Sequence, residues 1–585
     1  DLLPYLVRRL LENGANSSFV NRVVDEHETI DTLTENPLEK SRLLLDKINQ
    51  NIVLPKDIFA PMRLNSSGID LNDRQEIMHL KASLQQVSAE KWHIKTAHLS
   101  NTAFDKSYAP QKPDYCVGSI IKTDVAKVED IILKATKAFQ AWSVKPVGQR
   151  ADCLNRYADL LEAHQTELFA LLMLEAGKTW RDCVAEVREA VDFCRYYAAM
   201  AIELMSEPRS LKGYTGELNE LSLHPRGIIL CISPWNFPLA IFTGQIVAAL
   251  VTGHCVLAKP AEQTPLIARK AIELMYQAGI EDGVVQLLIG SGRTLGQAFV
   301  AHAAIKGVLF TGSNQTATHI NQTLAARGGE IIPLIAETGG QNVMIVDSSA
   351  LLEQVVVDVI DSAFGSAGQR CSALRVVYIQ EDIYARFVSL LKGAMAELCV
   401  GDPRWLATDV GPVIDKASLD GLMQHVALLS KQYDLIYQCK LSDDIDEKGY
   451  YMPPTAIAIE SIETLTKEVF GPILHVIKFK WKNLESVINE INGTGFGLTL
   501  GIHSRINHRV DAIKKRVHVG NCYVNRNMTG AVVGLQPFGG EGLSGTGPKA
   551  GGPFYLQRLC LERTYTVDTT AAGGNASLMS LTDEI

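Results

Sequence analysis

Three side chains able to share acyl chemistry stand at loop-like positions. Cys371 lies in Gly365-Ser-Ala-Gly-Gln-Arg-Cys371-Ser372, between a helix-patterned segment (Leu351 to Phe364) and an apolar strand-like run (Leu374 to Ile379). Small neighbours let the backbone approach a ligand closely, and loops between regular elements commonly carry function. Glu337, in Ile335-Ala-Glu337-Thr-Gly-Gly340, ends the apolar run Ile331 to Ile335. Asn236, in Ser233-Pro-Trp-Asn236-Phe-Pro238, follows the strand-like Gly227 to Ile232. A thiol can attack a carbonyl, an amide can donate to the resulting oxyanion, and a carboxylate can activate water. Taken singly, each has a plainer reading: a buried structural cysteine, a turn asparagine between prolines, a strand-end glutamate. Their company supports a covalent site.

The elements needed to position them are legible. Lys127 to Trp142 sets Ile131, Ala135, Ala138, Phe139 and Trp142 on one helical face, Gln149 to Ala176 reads as one long helix stopped by Gly177, and Arg181 to Met205 continues the layer. Strands and helices then alternate: Gly227–Ile232, Leu239–Leu250, Cys255–Lys259, Pro265–Ala278, Val284–Ile289, Leu295–Ala301, Gly307–Phe310 and Thr316–Ala325. That alternation predicts a doubly wound parallel sheet, whose ligands bind beyond the carboxyl ends of the strands. Asn236, Lys259 and Thr311-Gly312-Ser313 all fall at that edge. A second α/β region repeats the pattern from Glu337 to about Asn525. The apolar stretch Gly227 to Ala258 is interrupted by Pro234, Asn236, Pro238 and Gln245, and reads as strand, loop, helix, strand rather than a membrane span.

The 585 residues allow two to four domains. Hydrophobic content of 46% against 21% charged is that of a well-cored globular chain. A net charge of −9 with no basic run argues against nucleic-acid binding. The 11 cysteines show neither a paired C-x-x-C nor zinc spacing, which predicts reduced thiols, a cytoplasmic setting and no metal. Asp1-Leu-Leu-Pro4 opens without methionine or a basic leader, which predicts a fragment of a longer protein.

Five motifs in order, Ser233 to Pro238, Glu337 to Gly340, Gly365 to Ser372, Glu468-Val-Phe470-Gly-Pro472 and Pro537-Phe538-Gly-Gly540, resemble the aldehyde dehydrogenase superfamily from about Trp92 to about Arg563. The resemblance implies a Rossmann-like NAD-binding domain, an α/β catalytic domain and an oligomerisation β-flap. It implies Cys371 as nucleophile, Asn236 as oxyanion donor beside the Cys371 N–H, and Glu337 as the base that hydrolyses a thioester. For the cofactor it implies Ser233, Pro234, Trp235, Lys259, Glu262, Thr311, Gly312, Ser313, Glu468 and Phe470, with the Glu262 carboxylate favouring NAD over NADP. The run Gly290-Ser-Gly292-Arg-Thr-Leu-Gly296 misses the dinucleotide spacing by one residue. In Gly539 to Pro553, glycines that can form an anion-binding nest resemble the carboxylate anchor of glutamate-γ-semialdehyde dehydrogenases. That likeness implies Gly545, Thr546 and Ser372 for the substrate carboxylate, with Phe237 and Phe538 along its chain.

Two further segments resemble the bifunctional proline utilisation A family. Tyr5-Leu-Val-Arg8-Arg9-Leu-Leu-Glu-Asn-Gly14 is similar to the close of its proline dehydrogenase barrel, where the matching tyrosine and arginines hold proline; the terminal segment Glu562 to Ser577 is similar to that family's cap. Adjacent arginines on a helix are also commonly a solvated face. The expected division is 1–54 barrel remnant, 55–92 linker with one helix near Gln75 to Val87, and 93–335 NAD-binding domain with 205–223 in the flap. The catalytic domain follows at 336–535, then the anchor loop and oligomerisation strand at 536–565 and a tail at 566–585. The implied activity is NAD-dependent oxidation of L-glutamate γ-semialdehyde, from 1-pyrroline-5-carboxylate, to L-glutamate. The rival readings are a dehydrogenase of another carboxylated semialdehyde and a non-catalytic channelling or dimer-forming module. Strand-like Leu218–Leu223 and Leu559–Val567 suggest a homodimer, and the family implies a proline dehydrogenase half in the same polypeptide.

Overall fold

The computed structural model describes residues 5–7, 9, 22–25, 27–44, 52–87, 92–93, 104–442 and 445–569. The chain forms two compact units, Asp1–Pro61 and Met62–Ile585. In the first, Thr29 and Thr32 form a capping box for the short helix Ile30–Thr34. The helix Pro37–Leu44 begins where Asn36 Oδ1 accepts the Leu38 N–H at 3.0 Å, with proline at its first position as expected. Arg9 Nε donates to the Tyr5 hydroxyl at 3.3 Å. Arg8 lies outside the described residues, as does the tail beyond 569.

The second unit is built on two sheets. The first has five parallel strands in the order Val285–Leu287, Cys255–Lys259, Ile228–Ile232, Ile305–Thr311 and Leu334–Glu337. Its register aligns Ile232 with Lys259 and with Phe310, and Thr311 with Glu337. One carboxyl edge therefore carries Ser233, Lys259, Thr311 and Glu337 together. The second sheet has seven strands: Leu435–Gln438, Thr455–Ala458, Ile473–Phe479, Val376–Gln380, Val343–Val346, Thr499–His503 and Asn521–Val524, parallel except for the first pair. Segments entering its three adjacent central strands carry Glu468, Cys371 and Glu337. The site thus gathers where the carboxyl edge of one sheet meets the amino edge of the other.

Apolar runs explain both sheets. Ile228–Leu230 and Cys255–Ala258 are buried on both faces, as parallel strands covered by helices must be, and the helix Ala240–Val251 between them is buried at every position except Ile241. Among the described residues no helix is long and apolar enough to cross a membrane. All eleven cysteines are free thiols.

Three expectations change. The long helix over Gln149–Ala176 is two helices, Val147–Ala163 and Gln165–Ala176, broken at His164, whose φ of −101° and ψ of 16° leave the helical range. Gly177 does end the second, at φ 65°. The stretch expected as linker is partly core: Arg63 Nη1 donates to Asp192 at 3.2 Å, and Asp192 also accepts from the Ser66 N–H and hydroxyl. The strand expected from Leu559 is preceded by a short helix, Tyr555–Leu559; the strand Leu561–Asp568 then pairs antiparallel with Glu217–His224, which pairs with Arg209–Leu211.

Two buried glutamates hold the layer beneath the site. Glu175 accepts from the Leu266 and Ile267 N–H groups at 2.9 and 3.0 Å, closing the amino end of the helix Pro265–Gln277, and from the Ser107 hydroxyl. Glu186 accepts from Leu239 and Ala240 N–H at 3.0 and 3.1 Å, at the start of the helix Ala240–Val251. Burial pushes Glu175 up to about 7, opposed by its three donors. Glu175→Ala leaves these donors without a buried acceptor and is expected to cost on the order of 2 kcal/mol, read as a lower denaturation midpoint. An unchanged midpoint refutes this role.

Candidate active site

The segment carrying Cys371 is held in an unusual backbone shape. After the helix Leu352–Phe364, Ser366, Ala367 and Gly368 adopt φ of 57°, 55° and 65°, a left-handed region costly for the two non-glycine residues. Position 368 requires glycine twice over: a Cβ there would stand 2.2 Å from the Gly471 carbonyl oxygen. The turn is fixed from beneath by Arg375, which is fully buried. Its Nη1 donates to the Gly368 carbonyl at 2.6 Å, and its Nη2 to the Arg370 carbonyl and to Glu468 Oε1, both at 3.0 Å. Asn342 Nδ2 donates to the Cys371 carbonyl at 2.6 Å and the Ala373 carbonyl at 2.9 Å.

Cys371 is half-buried. Burial, reinforced by the negative charges of Glu468 and Glu337, pushes its thiol up to about 12; Arg375 and the Ser372 N–H oppose this. Cys371, Ser372, Glu337, Phe237, Phe538 and Thr311 line one cavity of about 290 Å³. The expected thiol, carboxylate and two phenyl rings therefore share a space. Asn236 is buried and is not among the residues lining this cavity; its Nδ2 donates to the Gln369 carbonyl, in the loop of Cys371, at 2.9 Å. One amide hydrogen is thus committed to the loop of Cys371.

Glu337 leaves the end of its strand and turns toward the glycine loop. Its Oε2 accepts the Gly540 N–H at 3.1 Å, while Oε1 is buried without a hydrogen-bond partner among the described residues. Burial pushes this carboxyl up to about 8, against the Gly540 N–H and the nearby Lys549 charge. Gly545 and Thr546 do not face the cavity of Cys371. Gly545 bridges the backbone of Glu337. The Thr546 N–H donates to the Ala336 carbonyl, and its hydroxyl oxygen accepts the Ala336 N–H, both at 2.9 Å. Both residues line a separate cavity of about 730 Å³ beside the helix Asn314–Ala326.

A groove of about 420 Å³ lies beyond the other end of the first sheet's carboxyl edge, lined by Lys259, Glu262, Gly292, Thr316 and His319 among others. Lys259 is buried, with Nζ on the Pro260 carbonyl at 3.2 Å, and burial lowers its pKa. Glu262 Oε1 accepts the Gly292 N–H at 3.1 Å. The glycine run that misses the dinucleotide spacing therefore contributes to the groove wall. Ser313 caps the helix Asn314–Ala326 through its side chain, Thr311 Oγ1 accepts from Gln245, and the Gly312 N–H donates to the Glu337 carbonyl. The Ser233 hydroxyl is buried without a partner among the described residues, and Trp235 meets Phe470 edge to face at 5.6 Å. Pro234 is half-buried in the same turn. Glu468 stands over Gly339, where any Cβ would collide with its carboxylate.

Against this geometry, the family model described as aldehyde dehydrogenase family matches residues 100–564. The chain belongs to the aldehyde dehydrogenase family. It is 46% identical over 579 residues to the bifunctional protein PutA of Salmonella typhimurium, covering 96% of this chain and 43% of that one. A 1-pyrroline-5-carboxylate dehydrogenase of Bacillus cytotoxicus is 36% identical over 455 residues, 77% of this chain and 87% of the relative. A crystal structure of Bradyrhizobium japonicum proline utilization A superposes with a TM-score of 0.87 at 46% identity, over 98% of this chain and 55% of that chain. The chain therefore spans about half the length of its bifunctional relatives.

Sequence reasoning missed Arg375, which reads as one charge at the edge of an apolar run, and Lys178, which sits between helices with no pattern to mark it. In this aldehyde dehydrogenase family member, Glu468 links Arg375 to the surroundings of Cys371. Glu468→Gln removes the first of the charges that raise the thiol, so iodoacetamide should alkylate Cys371 several-fold faster at pH 8. An equal or slower rate refutes this coupling.

Proposed function

We propose that this chain oxidises L-glutamate γ-semialdehyde, in equilibrium with 1-pyrroline-5-carboxylate, to L-glutamate with NAD⁺. The observation that carries the reading is the shared cavity of Cys371 and Glu337, in a chain similar along 77% of its length to a relative named 1-pyrroline-5-carboxylate dehydrogenase. Cys371 gives up its proton to solvent and its sulfur bonds to the aldehyde carbon, while the carbonyl electrons move to oxygen. The second Asn236 amide hydrogen and the Cys371 N–H stabilise that oxyanion. NAD⁺, when bound, supplies the acceptor for the hydride that leaves this carbon. Glu337 then takes a proton from water, the water oxygen attacks the thioester, and the carbon–sulfur bond breaks to restore the thiol.

The residues present suit the dinucleotide. The groove of Lys259, Glu262 and Thr316 ends at a capped helix amino terminus, a favourable place for phosphate, and the exposed Glu262 carboxylate accepts a ribose hydroxyl but repels a 2′-phosphate. Glu468 and Phe470 would hold the nicotinamide end. We further propose a cytoplasmic homodimer through the exposed sheet of Glu217–His224 and Leu561–Asp568, and a proline dehydrogenase half in the longer polypeptide. A second reading, a dehydrogenase of another carboxylated semialdehyde, is favoured by the placement of Gly545 and Thr546 outside the Cys371 cavity. Kinetics across a series of semialdehydes separates the two.

The direct test is absorbance at 340 nm with pyrroline-5-carboxylate and NAD⁺. Turnover is expected for the wild type and none for Cys371→Ala; turnover surviving in that variant refutes the covalent route. Glu337→Gln should release one NADH per site and then stall, and steady turnover by it refutes the assigned base. Because Glu337 accepts a proton only when ionised and burial raises it to about 8, wild-type hydrolysis should climb as pH rises toward and past 8. A flat profile between about pH 6 and about pH 9 contradicts it.

A further inference from the structure

Lys178 is fixed between two helix ends. It follows the left-handed Gly177 that closes Gln165–Ala176 and precedes Thr179, whose side chain caps Trp180–Met205. Its side chain is buried and reaches both walls of the site. Nζ donates to the Ser366 hydroxyl at 3.3 Å, lies 3.7 Å from Glu186 Oε2, and stands 4.6 Å from the centre of the Phe237 ring.

These contacts touch different parts of the machinery. Ser366 is the first of three consecutive left-handed residues leading to Cys371, so its hydroxyl is a handle on a strained turn. Phe237 is the neighbour of Asn236, and Glu186 binds the first N–H groups of the helix that follows. Glu186 Oε2 has no hydrogen-bond partner among the described residues, so the ammonium attracts it by charge across a gap. A point charge so placed resists both closure and separation of the two loops, whereas a neutral side chain of equal volume resists only closure.

We infer that Lys178 is a positioning residue that sets the distance between Cys371 and the Asn236 amide. The inference rests on the reading of Cys371 as nucleophile and Asn236 as oxyanion donor. A plainer role, compensating the buried Glu186 charge, predicts lost stability with unimpaired chemistry.

The test compares Lys178→Met, Lys178→Arg and Ser366→Ala in the same chain. It reads kcat and KM with pyrroline-5-carboxylate and NAD⁺, the rate of Cys371 alkylation by iodoacetamide, and the thermal midpoint. Lys178→Met, which keeps the stem and volume, should lower kcat by about 100-fold, the scale of a small misplacement of reacting groups, with KM for NAD⁺ little changed. Its Cys371 should be alkylated several-fold faster as the turn loosens. Lys178→Arg should regain part of kcat, and Ser366→Ala should lower kcat by a smaller factor at an unchanged midpoint. Lys178→Met with wild-type kcat, whatever its midpoint, overturns the inference. Should that variant not fold, wild-type kcat in Ser366→Ala overturns it instead. A wild type without turnover sinks the substrate reading alone, and alkylation then decides: identical rates in wild type and variants overturn the role of Lys178.

Discussion

The guanidinium of Arg375 holds together groups that belong to two segments distant in sequence. It donates to two carbonyls of the turn before Cys371 and to Glu468, and its face lies against the Phe470 ring at 5.1 Å. No smaller donor could reach all of these from one buried point, because the planar fork spreads its N–H groups over fixed directions. Breaking one such buried pair leaves a charge without compensation and costs on the order of 3–5 kcal/mol. The left-handed turn, the height of Cys371 and the lie of Glu468 all depend on this one side chain.

Around it the fold brings strand edges together. Parallel strands in register bring Ser233, Lys259, Thr311 and Glu337 to one line, and the second sheet brings the segments of Cys371 and Glu468 to face them. The buried glutamates beneath the first sheet serve the same end, since each fixes the start of a helix whose preceding loop reaches the site. Burial above all, with Glu468 and Glu337 close by, pushes the Cys371 thiol up and favours its protonated form.

Much of this could be read before any coordinates. Alternating apolar runs with intervening helices placed the first sheet and its functional edge, because periodicity follows directly from what must be buried. Cys371, Glu337, Phe237, Phe538 and Ser372 do meet in one cavity. The break at His164 was invisible, since neither proline nor glycine marks it and both flanking helices are apolar enough to be buried. Gly545 and Thr546 show a different limit: glycines advertise backbone freedom, but the direction of their N–H groups follows from the strand they meet, here the end of Leu334–Glu337. Arg375 and Lys178 were missed because a single buried cation has no period. Its meaning comes only from the carbonyls, hydroxyls and rings that surround it.

The meeting of two sheet edges has a consequence for how the chain matures. Asn236, Glu337, Cys371 and Glu468 come from loops distant in sequence, and no contiguous stretch contains a working subset. Until both sheets have closed and docked, the thiol has neither its turn nor its neighbours. Catalytic competence should therefore emerge only in the last step of assembly, which makes turnover a sensitive reporter of complete folding.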